Sequence, residues 1–131
     1  PPSAACIFVH GVGACARFEF LRALEPGALH IQWNNSILDV FVKAGIACFA
    51  FDQQSSGESE CVRPGVRCFF ERFDDLAADL HEYHAVVRDR VGSSIPVYWL
   101  GISMGGAVVV RAAQLFPGEA AGLLVLSPML S

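Results

Sequence analysis

Residues Val97 to Val110 read VYWLGISMGGAVVV: a run of large apolar side chains, a serine fenced by Gly101, Gly105 and Gly106, and a second apolar run. The first run belongs to PVYWLG, Pro96 to Gly101, rich in β-branched and aromatic residues, which predicts a strand. The second, Met104 to Phe116, has helical character and is stopped by Pro117 and Gly118. Ser103 therefore stands at a strand-to-helix turn. At the apex of such a turn a serine takes a strained backbone conformation that pushes its hydroxyl clear of the sheet, and only small neighbours let the helix pass so close to the strand. Gly101, Gly105, Gly106 and Ala107 supply that space. The same turn leaves the backbone N–H of Met104 free at a helix N-terminus, where it can face a developing oxyanion.

Working outward, three further apolar runs carry the same signature: ACIFVH (Ala5 to His10), IACFAF (Ile46 to Phe51) and GLLVLS (Gly122 to Ser127). Their hydrophobicity is continuous rather than alternating, which predicts parallel strands covered on both faces. Between them lie helical patterns. From Phe73 to Val91, the residues Phe73, Leu76, Ala77, Leu80, His84, Val87 and Val91 make one apolar stripe, with Asp74 and Asp75 in the first turn and Arg88 and Arg90 in the last. Arg17 to Leu24 and Ser36 to Lys43 also read as helices. Glu25 to Asn35 and Gln53 to Cys68 read as surface loops. Strand and helix alternate, so the expected architecture is α/β, a parallel sheet flanked by helices, in one domain over residues 1–131.

Composition narrows the function classes. The formal net charge is −4 and neither sign forms a block, which excludes the basic footprint of a nucleic-acid binder. The five cysteines, Cys6, Cys15, Cys48, Cys61 and Cys68, are odd in number and lack C-x-x-C spacing, so neither a disulfide framework nor a metal site is expected. They read as reduced thiols in a cytoplasmic setting. No apolar run approaches the roughly 18 residues of a membrane span. The chain opens on PPSAACIFVHG without an initiator Met, so whether a targeting segment precedes it stays open. HGVGAC lacks the lysine of a phosphate-binding loop and GISMGG does not match the dinucleotide fingerprint, so no cofactor is expected.

HGVG, His10 to Gly13, follows the first strand directly. It is a glycine-bracketed loop whose amides can point toward the same place as that of Met104, and Val12 is the candidate second oxyanion donor. His10 precedes the serine, against the order Ser, acid, His of this kind of triad, and reads as a structural imidazole holding the loop between Gly11 and Gly13. His84 lies on the buried helical stripe and reads as a core residue. His30 and His81 read as loop or surface residues.

These motifs make the chain resemble the monoglyceride lipase and lysophospholipase group of the α/β-hydrolase superfamily. The resemblance rests on FVHGVGACARF, AGIACFAFDQQSSGESE, FDDLAADL and VYWLGISMGGAVVVRAAQLFPGEAAGLLVLSPML. It implies that Ser103 is the nucleophile, that Val12 and Met104 give the backbone oxyanion donors, and that Asp52 organises the loop after its strand without being the triad acid. It implies also that the four strands are the family's third to sixth, lying in the order four, three, five, six. Two departures stand out. DQQSSGES replaces the usual D-x-x-G-H-G-x-S, putting Ser55 and Ser56 where a Gly and a His are usual, and EPGALHIQWNNSILDVF makes the stretch before AGIACFAFD longer than in compact members.

The group carries its acid after a seventh strand and its histidine after an eighth, whereas no histidine follows Ser103 here. The expectation is thus the N-terminal and central part of a serine hydrolase acting on fatty-acyl esters, monoacylglycerol or lysophospholipid, with these residues alone inactive for want of a base. Its expected partners are a small lipid ester and, transiently, a membrane surface. Two alternatives stay open: a catalytically inactive lipid-binding or interaction protein, and a peptidase, thioesterase or acyltransferase on the same scaffold.

Overall fold

The structure is a computed structural model and describes residues 1–23, 25 and 30–130. In chain order its elements are β1 (Ala4–Val9), α1 (Ala16–Phe20), β2 (Arg22–Ala23), β3 (Ile31–Gln32), α2 (Ile37–Lys43), β4 (Ile46–Ala50), α3 (Phe73–Val91), β5 (Val97–Ile102), α4 (Met104–Leu115) and β6 (Gly122–Leu126). The four long strands form a parallel sheet in the order β4-β1-β5-β6, which is the order the resemblance implies.

Alternation along the strands sorts the apolar residues onto two faces, each with its own core. Ala5, Ile7 and Val9 of β1 and Val97 and Trp99 of β5 face α3 and α4, where they meet Leu76, Ala77, Leu80, Val87, Val108, Val109 and Ala112. Cys6, Phe8 and Leu100 face the other way, onto Phe20 of α1 and Ile37, Leu38 and Phe41 of α2. Phe8 is the hub of that second core, edge-on to Phe20 and to Phe41 with both ring centroids at 5.2 Å. Covering both faces is what lets β1 read as an unbroken apolar run.

Helix ends follow the local chemistry. Ser36 caps α2, its hydroxyl accepting from the Asp39 amide at 3.2 Å, and Asp39 accepts from the Asn35 amide and from Lys43 Nζ. At α3 the Asp75 carboxylate accepts from the Arg72 amide at 3.1 Å. A two-point pair of Arg111 with Asp74, at 2.7 and 2.9 Å, ties α4 to the first turn of α3.

One element departs from its expected bounds. The helix expected over Arg17 to Leu24 stops at Phe20, Arg22 and Ala23 pair antiparallel with Gln32 and Ile31, and Leu24 lies outside the described residues. Phe20 is the one residue of α1 that is buried. Past Phe20 the chain leaves the helix and takes backbone partners from β3, inside the segment expected to be loop throughout.

Among the described residues all five cysteines are free. Cys6 and Cys48 face each other across β1 and β4, and burial pushes their thiols up to about 12 and about 11. Both are therefore poor thiolates.

Candidate active site

Ser103 joins β5 to α4 with φ 54° and ψ −118°, a backbone region that side chains rarely adopt. Three backbone bonds hold it there. Its amide donates to Leu126 O at 3.0 Å, and its carbonyl accepts from Ala107 at 3.3 Å and from Met129 at 3.0 Å. The strained residue is thus fastened both to its own helix and to the end of β6. Its hydroxyl makes no capping bond to α4, so it is not consumed in stabilising the helix.

The glycines around it are set by close approach. A Cβ on Gly105 would run into the carbonyl oxygens of Val9 and His10, and one on Gly101 would run into the carbonyl of Gly105. Gly106 packs on Pro128, which a Cβ would reach at 2.9 Å. Helix α4 therefore rests directly on the ends of β1 and β5, with no side chain between.

The HGVG loop lies against the serine. A Cβ on Gly11 would sit 3.3 Å from that of Ser103, and the Gly11 amide donates to Glu19 Oε2 at 2.5 Å. Among the described residues, neither the Val12 amide nor the Met104 amide donates to a protein acceptor. Met104 is buried at the first position of α4, whereas the Val12 side chain is 59% exposed. Gly13 takes φ 71°.

His10 is fully buried and both its ring nitrogens are engaged. Nδ1 lies 2.8 Å from Gly11 O and Nε2 lies 3.0 Å from the Gln53 amide, which assigns the proton to Nδ1 as donor and leaves Nε2 the acceptor. The Gln53 side chain donates back to His10 O at 2.6 Å. Gln53, and Glu19 on α1, were not singled out in the sequence. Gln53 fills an unspecified position of its motif and Glu19 lies outside the motifs, and only the fold brings them to the loop.

Asp52, two residues past the end of β4, accepts at both carboxylate oxygens, from the Ala16 amide at 2.8 Å and from the Glu58 amide at 2.9 Å. Gly57 passes so close to that carboxylate that a Cβ would overlap it. Ser55, at the position where a Gly is usual, takes φ 61°, and its hydroxyl accepts from the Val62 amide at 2.9 Å. Serine keeps the glycine-like backbone here because a side-chain hydrogen bond offsets the strain.

A narrow crevice of about 10 Å³ separates the two loops, lined by Val12, Gly13, Gln53, Ser56, Cys68 and Met104 among others. That is room for about one water, far too little for an acyl chain. Elsewhere, His84 is buried on α3 and accepts from Trp99 Nε1 at 3.0 Å. His81 lies at the surface as expected, its side chain 41% exposed, with its ring stacked on Phe116 at 4.0 Å and Nδ1 2.7 Å from Glu119 Oε1. Among the described residues no group of His, Cys, Asp and Glu is arranged to hold a metal ion, and no helix is long and apolar enough to cross a membrane.

Residues 27–131 match the family described as Serine aminopeptidase, S33. The chain belongs to that family. Among the relatives of this S33 chain, the monoglyceride lipase of Homo sapiens is 34% identical over 127 residues, covering 95% of the chain but 35% of the relative. That of Rattus norvegicus is 31% identical over 128 residues, covering 96% and 35%. The S33 chain thus spans about a third of the length of the curated relatives it matches. A monoacylglycerol lipase of Paleococcus ferrophilus superposes with a TM-score of 0.69 at 20% identity, over 99% of this chain and 41% of that one. A soluble variant of the Saccharomyces cerevisiae monoglyceride lipase, in complex with a substrate analog, gives 0.69 at 20%, over 99% and 38%. The fold is that of the α/β-hydrolases.

Proposed function

We propose that Ser103 is the nucleophile of a hydrolase that cleaves fatty-acyl esters, monoacylglycerol or lysophospholipid, through an acyl-enzyme. The observation that carries the reading is the strained turn at Ser103, held between β5 and α4 with its hydroxyl outside the helix cap. The serine oxygen attacks the ester carbonyl, and the amides of Met104 and Val12 donate to the oxyanion that forms. The alcohol then leaves and water releases the fatty acid. A monoglyceride lipase identity in the curated relatives supports the lipid ester as substrate.

The serine still needs a base. His10 spends both nitrogens on the loop, and His84 accepts from Trp99, so neither is free to take the Ser103 proton. In this proposal the base and its acid come from outside these 131 residues, and these residues by themselves turn over little or nothing. That same engagement of His10 and His84 favours a second reading, a lipid-binding protein without turnover.

The test is hydrolysis by the whole protein, assayed on monoacylglycerol, lysophospholipid, a short-chain ester and an aminoacyl amide, beside its Ser103→Ala variant. The reading expects the lipid esters to be cleaved and Ser103→Ala to lose at least about a thousandfold in kcat. Preference for the amide would move the reaction to the peptidase class. Lipid binding without turnover in either protein would favour the second reading.

A further inference from the structure

Between Asp52 and α3 the chain makes an excursion whose two ends are fastened to one residue. The Val62 amide donates to Ser55 Oγ at 2.9 Å, and the Cys68 amide donates to Ser55 O at 2.8 Å. Between them Arg63, Pro64, Gly65 and Val66 close a type II turn. The Val66 amide donates to Arg63 O at 3.0 Å, proline sits at the second position, and Gly65 takes φ 75° at the third. Arg67 Nη1 braces the base by donating to Gly57 O and Ser59 O, and the Arg63 guanidinium lies 4.2 Å over the Phe69 ring. The excursion is thus a stiff projection rather than a slack loop.

Its surface combines apolar and cationic side chains. All seven residues from Val62 to Cys68 are exposed, including two valines, at 41% and 43%. The same seven residues hold two arginines and no acid, in a chain of net charge −4, and neither arginine is paired with a carboxylate among the described residues. The nearby acids Glu58, Glu60 and Glu71 lie before or after it in sequence. Its far end leads to the candidate site, since Cys68 and Phe70 line the crevice shared with Val12 and Met104.

We infer that this projection is a docking tip for an anionic lipid surface, with Val62 and Val66 entering the interface and Arg63 and Arg67 pairing with headgroup phosphate or carboxylate. Paired apolar and cationic side chains on one rigid tip match the two attractions such a surface offers, apolar burial and charge. The inference deepens, and rests on, the lipid-ester reading of Ser103: a tip seated on a lipid surface brings that surface to the serine.

Vesicle binding tests it without turnover, on the full chain carrying Ser103→Ala, by co-sedimentation with phosphatidylcholine vesicles with and without phosphatidylserine. The expected result is binding to the phosphatidylserine vesicles that weakens with added salt and falls at least about tenfold in Val62→Ser/Val66→Ser and in Arg63→Glu, with unchanged thermal midpoints. Both variants in an otherwise native protein keep their rate on a soluble short-chain ester. Absence of vesicle binding by the parent, or equal binding by the variants, overturns the inference. Binding to polyglutamate as strong as to vesicles, and indifferent to the valines, overturns it in favour of an acidic protein partner. Failure of ester hydrolysis with vesicle binding intact would sink the catalytic reading and leave the tip standing.

Discussion

Ser103 holds a backbone conformation that costs about 1–3 kcal/mol for a residue with a side chain. Glycine there relieves that strain, so Ser103→Gly is expected to raise stability by about 1–2 kcal/mol while removing the hydroxyl, read as a higher urea midpoint at unchanged slope. A lowered midpoint would mean that the turn is not strained. His84 gives a second residue-scale expectation. His84→Ala leaves the buried Trp99 N–H without its acceptor and opens a gap beside the ring, at a cost of about 2–4 kcal/mol in urea unfolding. Burial holds the His84 imidazole below its usual range, against the upward pull of Glu119 and with a smaller push down from Arg88 and His81. Its folded value lies below its unfolded one, so the stability it contributes is complete above about pH 6.5 and is lost as pH falls below that. The pH dependence of the wild-type midpoint in that window should therefore flatten in His84→Ala. The serine and its glycines were legible because small residues at fixed spacing have one strong physical use. Gln53 was not, because its partner His10 is 43 residues away in the chain.

At the scale of elements, the long apolar runs and the α3 stripe could be placed from sequence because burial on both faces leaves a continuous signal. Helix α1 could not be bounded that way. Its end is decided by a short pairing between Arg22–Ala23 and Ile31–Gln32 that carries almost no hydrophobic pattern. The loop after β4 was equally opaque in detail, since Ser55 adopts a glycine-like φ within a set of bonds to Glu60, Val62 and Cys68 that only the folded loop assembles. For α2, the cap makes a plain expectation. Ser36→Ala removes the acceptor of the Asp39 amide and should cost about 1 kcal/mol, seen as a lower thermal midpoint, whereas Ser36→Asn should restore most of it. Equal midpoints for all three proteins would show that the cap bond contributes nothing.

On the scale of the whole molecule, β6 is an outer strand among the described residues, and its Leu123, Leu124, Val125 and Leu126 are each 38–46% exposed. Leu124 also borders an apolar hollow of about 260 Å³ with Ala4, Cys6, Phe41, Ile46 and Tyr98. An edge strand of this composition is a template for association. Leu124→Lys is therefore expected to lower self-association of the 131-residue chain in light scattering, and an unchanged particle size would place the sticky surface elsewhere. The fold's central claim, however, concerns the serine the sheet presents. Its most direct test is treatment of the whole protein with a fluorophosphonate, followed by mass spectrometry of the peptide carrying Ser103. The account predicts a phosphonylated Ser103, labelled at neutral pH and absent from heat-denatured protein. An unlabelled Ser103 in folded protein would contradict it, and would leave the strained turn as architecture without chemistry.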